Sequence, residues 1–140
     1  MNILLSVDGS DYTRRMLSYI AAHNELLGAG HTYTALTVVS AIPALALPVL
    51  DVTAVASCYG DEAEKILKPV QAFAAQQGWK LNVASVQGPA AESIADFARE
   101  NKSDLIIMGA HGHSAVLNMV LGSVTTGVLA RCTTPVLLIR

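Results

Sequence analysis

Leu105-Ile106-Ile107-Met108-Gly109-Ala110-His111-Gly112 is an apolar run that breaks at a glycine, with a second glycine following after two residues. A short, unbroken apolar run bounded by turn residues reads as a strand buried on both faces, so a strand is expected from Asp104 to Met108. The same signature recurs on either side. Ile3 to Val7 is apolar and ends at Asp8-Gly9-Ser10-Asp11, and Tyr33 to Val39 is rich in Thr, Val and Leu. Leu81 to Val86 alternates apolar and small polar residues, and Pro135 introduces Val136-Leu137-Leu138-Ile139. Five strands are therefore expected.

Helical spacing fills the intervals. Tyr12, Met16, Leu17, Ile20 and Leu27 fall on one helical face, which Gly28-Ala29-Gly30 ends. From Glu62 the apolar positions are Ala63, Ile66, Leu67, Val70, Phe73 and Ala74, closed by Gly78. Pro69 lies within that set, so the helix either kinks there or begins again with Pro69 in its first turn. Gly88-Pro89 opens a helix with Ile94, Phe97 and Ala98 inward, and a last helix runs from about Ser123 to Arg131. Strand and helix alternate four times before the final strand. That order, with right-handed crossovers, implies an α/β fold: a doubly wound, mostly parallel, Rossmann-like sheet with helices on both faces and strand order 3-2-1-4-5.

Composition bounds the rest. The 140 residues are 52% hydrophobic and 14% charged, enough for one domain spanning residues 1–140 to bury a core without staples. A net charge of -2 with no Lys or Arg run argues against nucleic acid as a partner. The N-terminus lacks a basic start and meets Asp8 early, and no apolar run approaches membrane-spanning length, so a cytoplasmic protein with no membrane partner is expected. Cys58 and Cys132 lie far apart without metal-ligand spacing and read as idle thiols. The irregular stretch is Ala41 to Gly60, which holds Pro43 and Pro48 yet stays apolar. It reads either as a functional loop over a pocket or as one folded back onto its own core.

In an open parallel sheet, ligands settle beyond the C-terminal strand ends where the winding reverses. With the first strand beside the fourth, Asp8 and Gly109 meet at that crevice. A strand-end aspartate suits ribose hydroxyls, and a glycine loop leading into a helix N-terminus can aim several amides at phosphate. Plainer roles stand beside these. Gly109 and Gly112 can be turn glycines, Gly122-Ser123 a helix start, Asp8 a cap, and Val38 core.

The joint spacing goes further. Gly109-Ala110-His111-Gly112, then Gly122-Ser123 after nine residues, resembles the G-2x-G-9x-G-(S/T) signature of nucleotide-binding universal stress proteins. Val7-Asp8-Gly9-Ser10, Gly88-Pro89-Ala90 and the terminal Pro135-Val136-Leu137-Leu138-Ile139 extend the likeness along the whole chain. The resemblance implies that Asp8 holds ribose and Val38 lines an adenine site. It also implies that Gly109, Gly112, Gly122 and Ser123 receive phosphates, with Val124 and Thr125 beside them. The cofactor it implies is ATP, or ADP or AMP, with Mg²⁺, and the assembly a homodimer through Val136 to Ile139.

One position departs from the family pattern. Where the family often has Lys or Arg, this chain has His113, and no Lys or Arg occurs between Lys102 and Arg131. Each missing cation contact forgoes about 1.5–3 kcal/mol of charge-assisted hydrogen bonding, so a triphosphate should bind modestly and AMP or ADP should compete. An imidazole titrates near pH 6.5, so phosphate binding should strengthen below about that pH if His113 takes part. His111 and His113 without a neighbouring carboxylate or cysteine make a weak metal motif, and no metal-ligand or catalytic set is assigned. The expected function is a stress-response regulator or sensor that binds adenine nucleotide as a homodimer and signals to a protein partner not legible here. The alternatives are a slow ATPase or autokinase using the same site, and a dimerising interaction module whose site is vestigial.

Overall fold

The computed structural model describes residues 1–40, 52–113 and 120–140. The elements in chain order are β1 (Asn2–Ser6), α1 (Asp11–Ala22), α2 (Asn24–Leu27), β2 (Thr32–Val39), α3 (Val52–Gln77), β3 (Lys80–Gln87), α4 (Ala90–Glu100), β4 (Leu105–Gly109), α5 (Ser123–Arg131) and β5 (Val136–Ile139). The five strands form one sheet in the order β3-β2-β1-β4-β5, every pair parallel. The expected topology is the observed one.

Burial explains why β1 and β4 are unbroken apolar runs. They lie side by side in the middle of the sheet, Ile3 opposite Leu105 and Leu5 opposite Ile107, and each is covered on both faces. Ile3, Leu5 and Ile107 face the core beneath α1 and α3, with Met16, Ile20, Leu67 and Val70. Leu4, Ile106 and Met108 face the other core, beneath α4 and α5, with Ile94, Ala98 and Val128. Burying each of these large side chains is worth about 1.5–3 kcal/mol, so a single Leu4→Ala removes about 2–5 kcal/mol once its cavity is counted. At the edge, β3 places Lys80, Asn82, Ser85 and Gln87 among its solvent-facing or rim positions, as an edge strand requires.

Three expectations change. The stretch from Ala41 to Gly60 is not irregular throughout: α3 takes up residues 52–60, while 41–51 lie outside the described residues. Pro69 does not begin a new helix but sits inside α3. The first helix, in turn, is two. α1 ends at Ala22, and His23 takes a non-helical backbone, with its Nδ1 donating to the Tyr19 carbonyl at 2.8 Å, before the single turn of α2. On the far face, α4 and α5 cross at close range because Gly127, at the middle of α5, has no side chain. A Cβ there would lie 2.5 Å from Ala91 Cβ.

Candidate functional site

The winding reverses between β1 and β4, and at their C-terminal ends the sheet opens into a cavity of about 320 Å³. That is within the range of small-molecule sites. Asp8, Val38, Gly109, Gly112, His113, Gly122, Ser123, Val124 and Thr125 all line it. Residues from four separate stretches of the chain thus converge, because parallel strands present all their C-terminal ends on one side.

Asp8 leaves β1 into the turn that Gly9 makes with φ +76°, a value favouring glycine. Its Oδ1 accepts from Ser10 N at 2.9 Å and from Thr13 Oγ1 at 3.0 Å, while its own N–H donates to Thr13 Oγ1 at 3.1 Å. The second carboxylate oxygen, Oδ2, has no hydrogen bond among the described residues and faces Gly112, where a Cβ would stand 2.6 Å from it. The carboxylate is therefore fixed by one oxygen and free at the other. His113 Nε2 donates to the Asp8 carbonyl at 2.7 Å, so the end of the glycine loop is tied to the end of β1.

The opposite wall is the start of α5. Gly122 is its N-cap and donates its N–H to the Ala110 carbonyl at 2.7 Å. The first helical bond is Thr126 N to Gly122 O at 3.0 Å, so the N–H groups of Ser123, Val124 and Thr125 have no acceptor within the helix. Three donors without an acceptor among the described residues, at the positive end of a helix dipole, favour an anion. Thr125 Oγ1 is buried and donates toward the carbonyls of Gly109 and Ala110, at 3.2 and 3.3 Å, which fastens α5 to the end of β4. Gly122 must also stay small, since a Cβ would meet the Ala110 carbonyl oxygen at 3.2 Å.

Sequence reasoning missed part of the lining. Ser6 and Ser40 extend the C-terminal ends of β1 and β2, and Tyr12, Thr13, Ala90 and Ile94 complete the wall. The strand-end rule that selected Asp8 points equally to Ser6 and Ser40. Tyr12 had been placed on the inward face of a helix, whereas its ring lies 5.5 Å from that of His111 with the Arg15 guanidinium 5.1 Å from its centre. No Lys or Arg is among the lining residues described. Nearby, the exposed Asp11 carboxyl is held below the usual carboxylate range, chiefly by the hydrogen bond from Arg14. Among the described residues no group of three His, Cys, Asp or Glu could hold a metal ion, and no helix is long and apolar enough to cross a membrane.

Comparison with known proteins now bears on this geometry. The sequence model of the universal stress protein family matches residues 1–140. The chain belongs to that family. Within the family, a universal stress protein of Thermus aquaticus, from the QAH/OAS sulfhydrylase 3' region, is 33% identical over 143 residues, covering 99% of this chain and 97% of the relative. Universal stress protein Slr1230 of Synechocystis is 41% identical over 78 residues, 56% of this chain and 25% of the relative. For the next two relatives, both of Methanocaldococcus jannaschii, the matched part is about half of their length, 47% and 49%. Among solved structures, UspA of Lactobacillus plantarum superposes with a TM-score of 0.75 at 26% identity, covering 100% of this chain and 97% of that one. A universal stress protein of Archaeoglobus fulgidus, in complex with dAMP, gives 0.68 at 22% identity over 100% and 98% of the two chains. A family protein of Arabidopsis thaliana with AMP bound gives 0.71 at 10% identity over 99% and 90%. The last two likenesses establish the fold alone.

Proposed function

We propose that this chain binds an adenine nucleotide in the cavity at the ends of β1 and β4, and acts as a homodimeric stress-response regulator whose occupancy a protein partner reads. The observation that carries the reading is the meeting, across one cavity, of two groups without a partner among the described residues: Oδ2 of Asp8 and the first amides of α5, those of Ser123, Val124 and Thr125. A nucleotide has the matching halves, ribose hydroxyls that donate and phosphates that accept. Val38 would lie against the base, and Gly109, Gly112, Gly122 and Ser123 would surround the phosphates. Family members of the same fold, with dAMP and with AMP, support this choice of ligand.

The phosphate end rests on backbone dipoles and the Ser123 hydroxyl. No lining cation reinforces them among the described residues, so AMP and ADP compete well with ATP. Mg²⁺ would be carried by the phosphate oxygens and water. Among the described residues β5 pairs in the sheet with β4 alone, and its other side offers a second copy an apolar strand edge at Val136 to Ile139.

Calorimetric titration with AMP, then with ATP and Mg²⁺, tests the reading, with Gly122→Val as the control that closes the approach to α5. Saturable binding lost in the control is the expected result. No heat and no thermal shift with either nucleotide would overturn the site.

A further inference from the structure

On the opposite side of the Asp8-Gly9 turn a second groove, of about 390 Å³, runs between α1 and α3. Its walls are two matching stripes. Thr13, Arg14, Leu17 and Ser18 come from α1, and Lys65, Ile66, Pro69 and Val70 from α3, each set at the i, i+1, i+4, i+5 spacing of one helical face, with Phe73 one further turn along α3. The floor is Leu17 and Val70, both buried, with Ile66 and Phe73 half-buried above them.

The polar groups of the groove are unevenly satisfied. Arg14 is engaged by Asp11, whereas Lys65 forms no ion pair among the described residues. Pro69 lacks an N–H, so the carbonyl of Lys65, four residues earlier, is without its helical donor on the same face. An apolar trough lined by two cationic residues, one of them without an ion pair among the described residues, complements a molecule with an aliphatic body and a single anionic head.

The geometry points to a second ligand site in this groove, for a medium-chain carboxylate whose aliphatic chain lies on Leu17, Ile66, Val70 and Phe73 and whose head meets Lys65 and Arg14. The site is separate from the glycine loop and stands whether or not a nucleotide binds there.

The chain carries its own reporter. Its single tryptophan, Trp79, makes an edge contact with Phe73 at 5.7 Å between ring centres, so an occupant that shifts Phe73 changes Trp79 emission. The test titrates decanoate, below the concentration at which it forms micelles, into the full chain, following Trp79 fluorescence and heat. One saturable site is expected, with decanol and the Lys65→Glu variant each weaker by about tenfold or more, as loss of a charge-assisted contact implies. Ser18→Phe, an exposed position that fills the groove from its rim, should abolish binding with the thermal midpoint unchanged. Gly122→Val should leave it intact. Absence of saturable binding, equal affinity for decanoate and decanol, or indifference to both groove variants would overturn the site. Loss in Gly122→Val would do the same, because it would put the ligand in the other cavity.

Discussion

Replacing Gly112 by alanine isolates the contact on which the proposed nucleotide site turns. The new methyl would stand 2.6 Å from Asp8 Oδ2, about 0.8 Å inside ordinary contact. Asp8 cannot simply yield, because its Oδ1 is held at 2.9 Å by Ser10 N and at 3.0 Å by Thr13 Oγ1. Relief requires the carboxylate to turn out of that grip or the loop to lift. Either way one charge-assisted hydrogen bond is lost, about 1.5–3 kcal/mol, which is roughly a ten- to hundredfold weaker AMP affinity. Global stability should change little, since Asp8 and Gly112 lie at the rim of the core. Calorimetry of four proteins decides the matter: wild type, Gly112→Ala, Asp8→Ala and the double variant. With Asp8 already truncated the methyl meets nothing within 4 Å among the described residues, so the second substitution should add less than about 0.5 kcal/mol. Additive losses, or wild-type affinity in Gly112→Ala, would refute the reasoning.

Three further outcomes follow from the same structure. Gly127→Ala should lower the thermal midpoint, because a Cβ 2.5 Å from Ala91 Cβ forces α4 and α5 apart at about 1–3 kcal/mol, more than the helix-propensity gain of about 1 kcal/mol; a raised midpoint would contradict this. The carbonyls of Pro135 and Ile139 are committed to Ile106 of β4 and to Ala110 just beyond its end, so by ladder alternation the N–H of Leu138 points outward. Sedimentation should then show a dimer for wild type and a folded monomer for Leu138→Pro, and a persisting dimer would exclude β5 as the interface. Finally, burial pushes the Tyr33 phenol up to about 12, and its hydroxyl donates to the carbonyls of Leu27 and Gly28. Above pH 10 the unfolded chain ionises this group while the folded chain keeps its proton, so unfolding free energy should fall between pH 10 and 12 by on the order of 1–2 kcal/mol. Urea unfolding at both ends of that range checks it, and Tyr33→Phe should flatten the dependence.

What could be read beforehand depended on how strongly burial constrains composition. β1 and β4 admit almost nothing but aliphatic residues on either face, so Ile3 to Leu5 and Leu105 to Met108 announced themselves and the parallel order followed. The first nine residues of α3 gave no such signal. Thr53, Ala56, Ser57, Cys58 and Gly60 are exposed there, so no apolar period marks them, and Gly60 disfavours a helix. The break at His23 was hidden for the opposite reason: Leu27 is buried and continues the apolar stripe across it. At the cavity, glycine spacing revealed the loop because each glycine answers to a close approach. Ser6, Ser40 and Tyr12 carry no spacing of their own, and their place depends on where the sheet ends and α1 begins. The groove between α1 and α3 was legible only as two apolar stripes, since nothing in their spacing says how far apart the two helices stand.

The tight crossing at Gly127 has a mechanical reading. α5 spans Ser123 to Arg131, and Gly127 is its midpoint, about 6 Å along the axis from either end. With Ala91 pressed against that point, the helix has a fulcrum. A tilt begun at Ser123, where phosphate would draw on the free amides, reappears with opposite sense at Arg131, just ahead of the strand that would join two subunits. Lever arms of equal length would carry such a tilt to Arg131 undiminished, and the Thr125 hydroxyl, held by the Gly109 and Ala110 carbonyls, is the tie that would resist it.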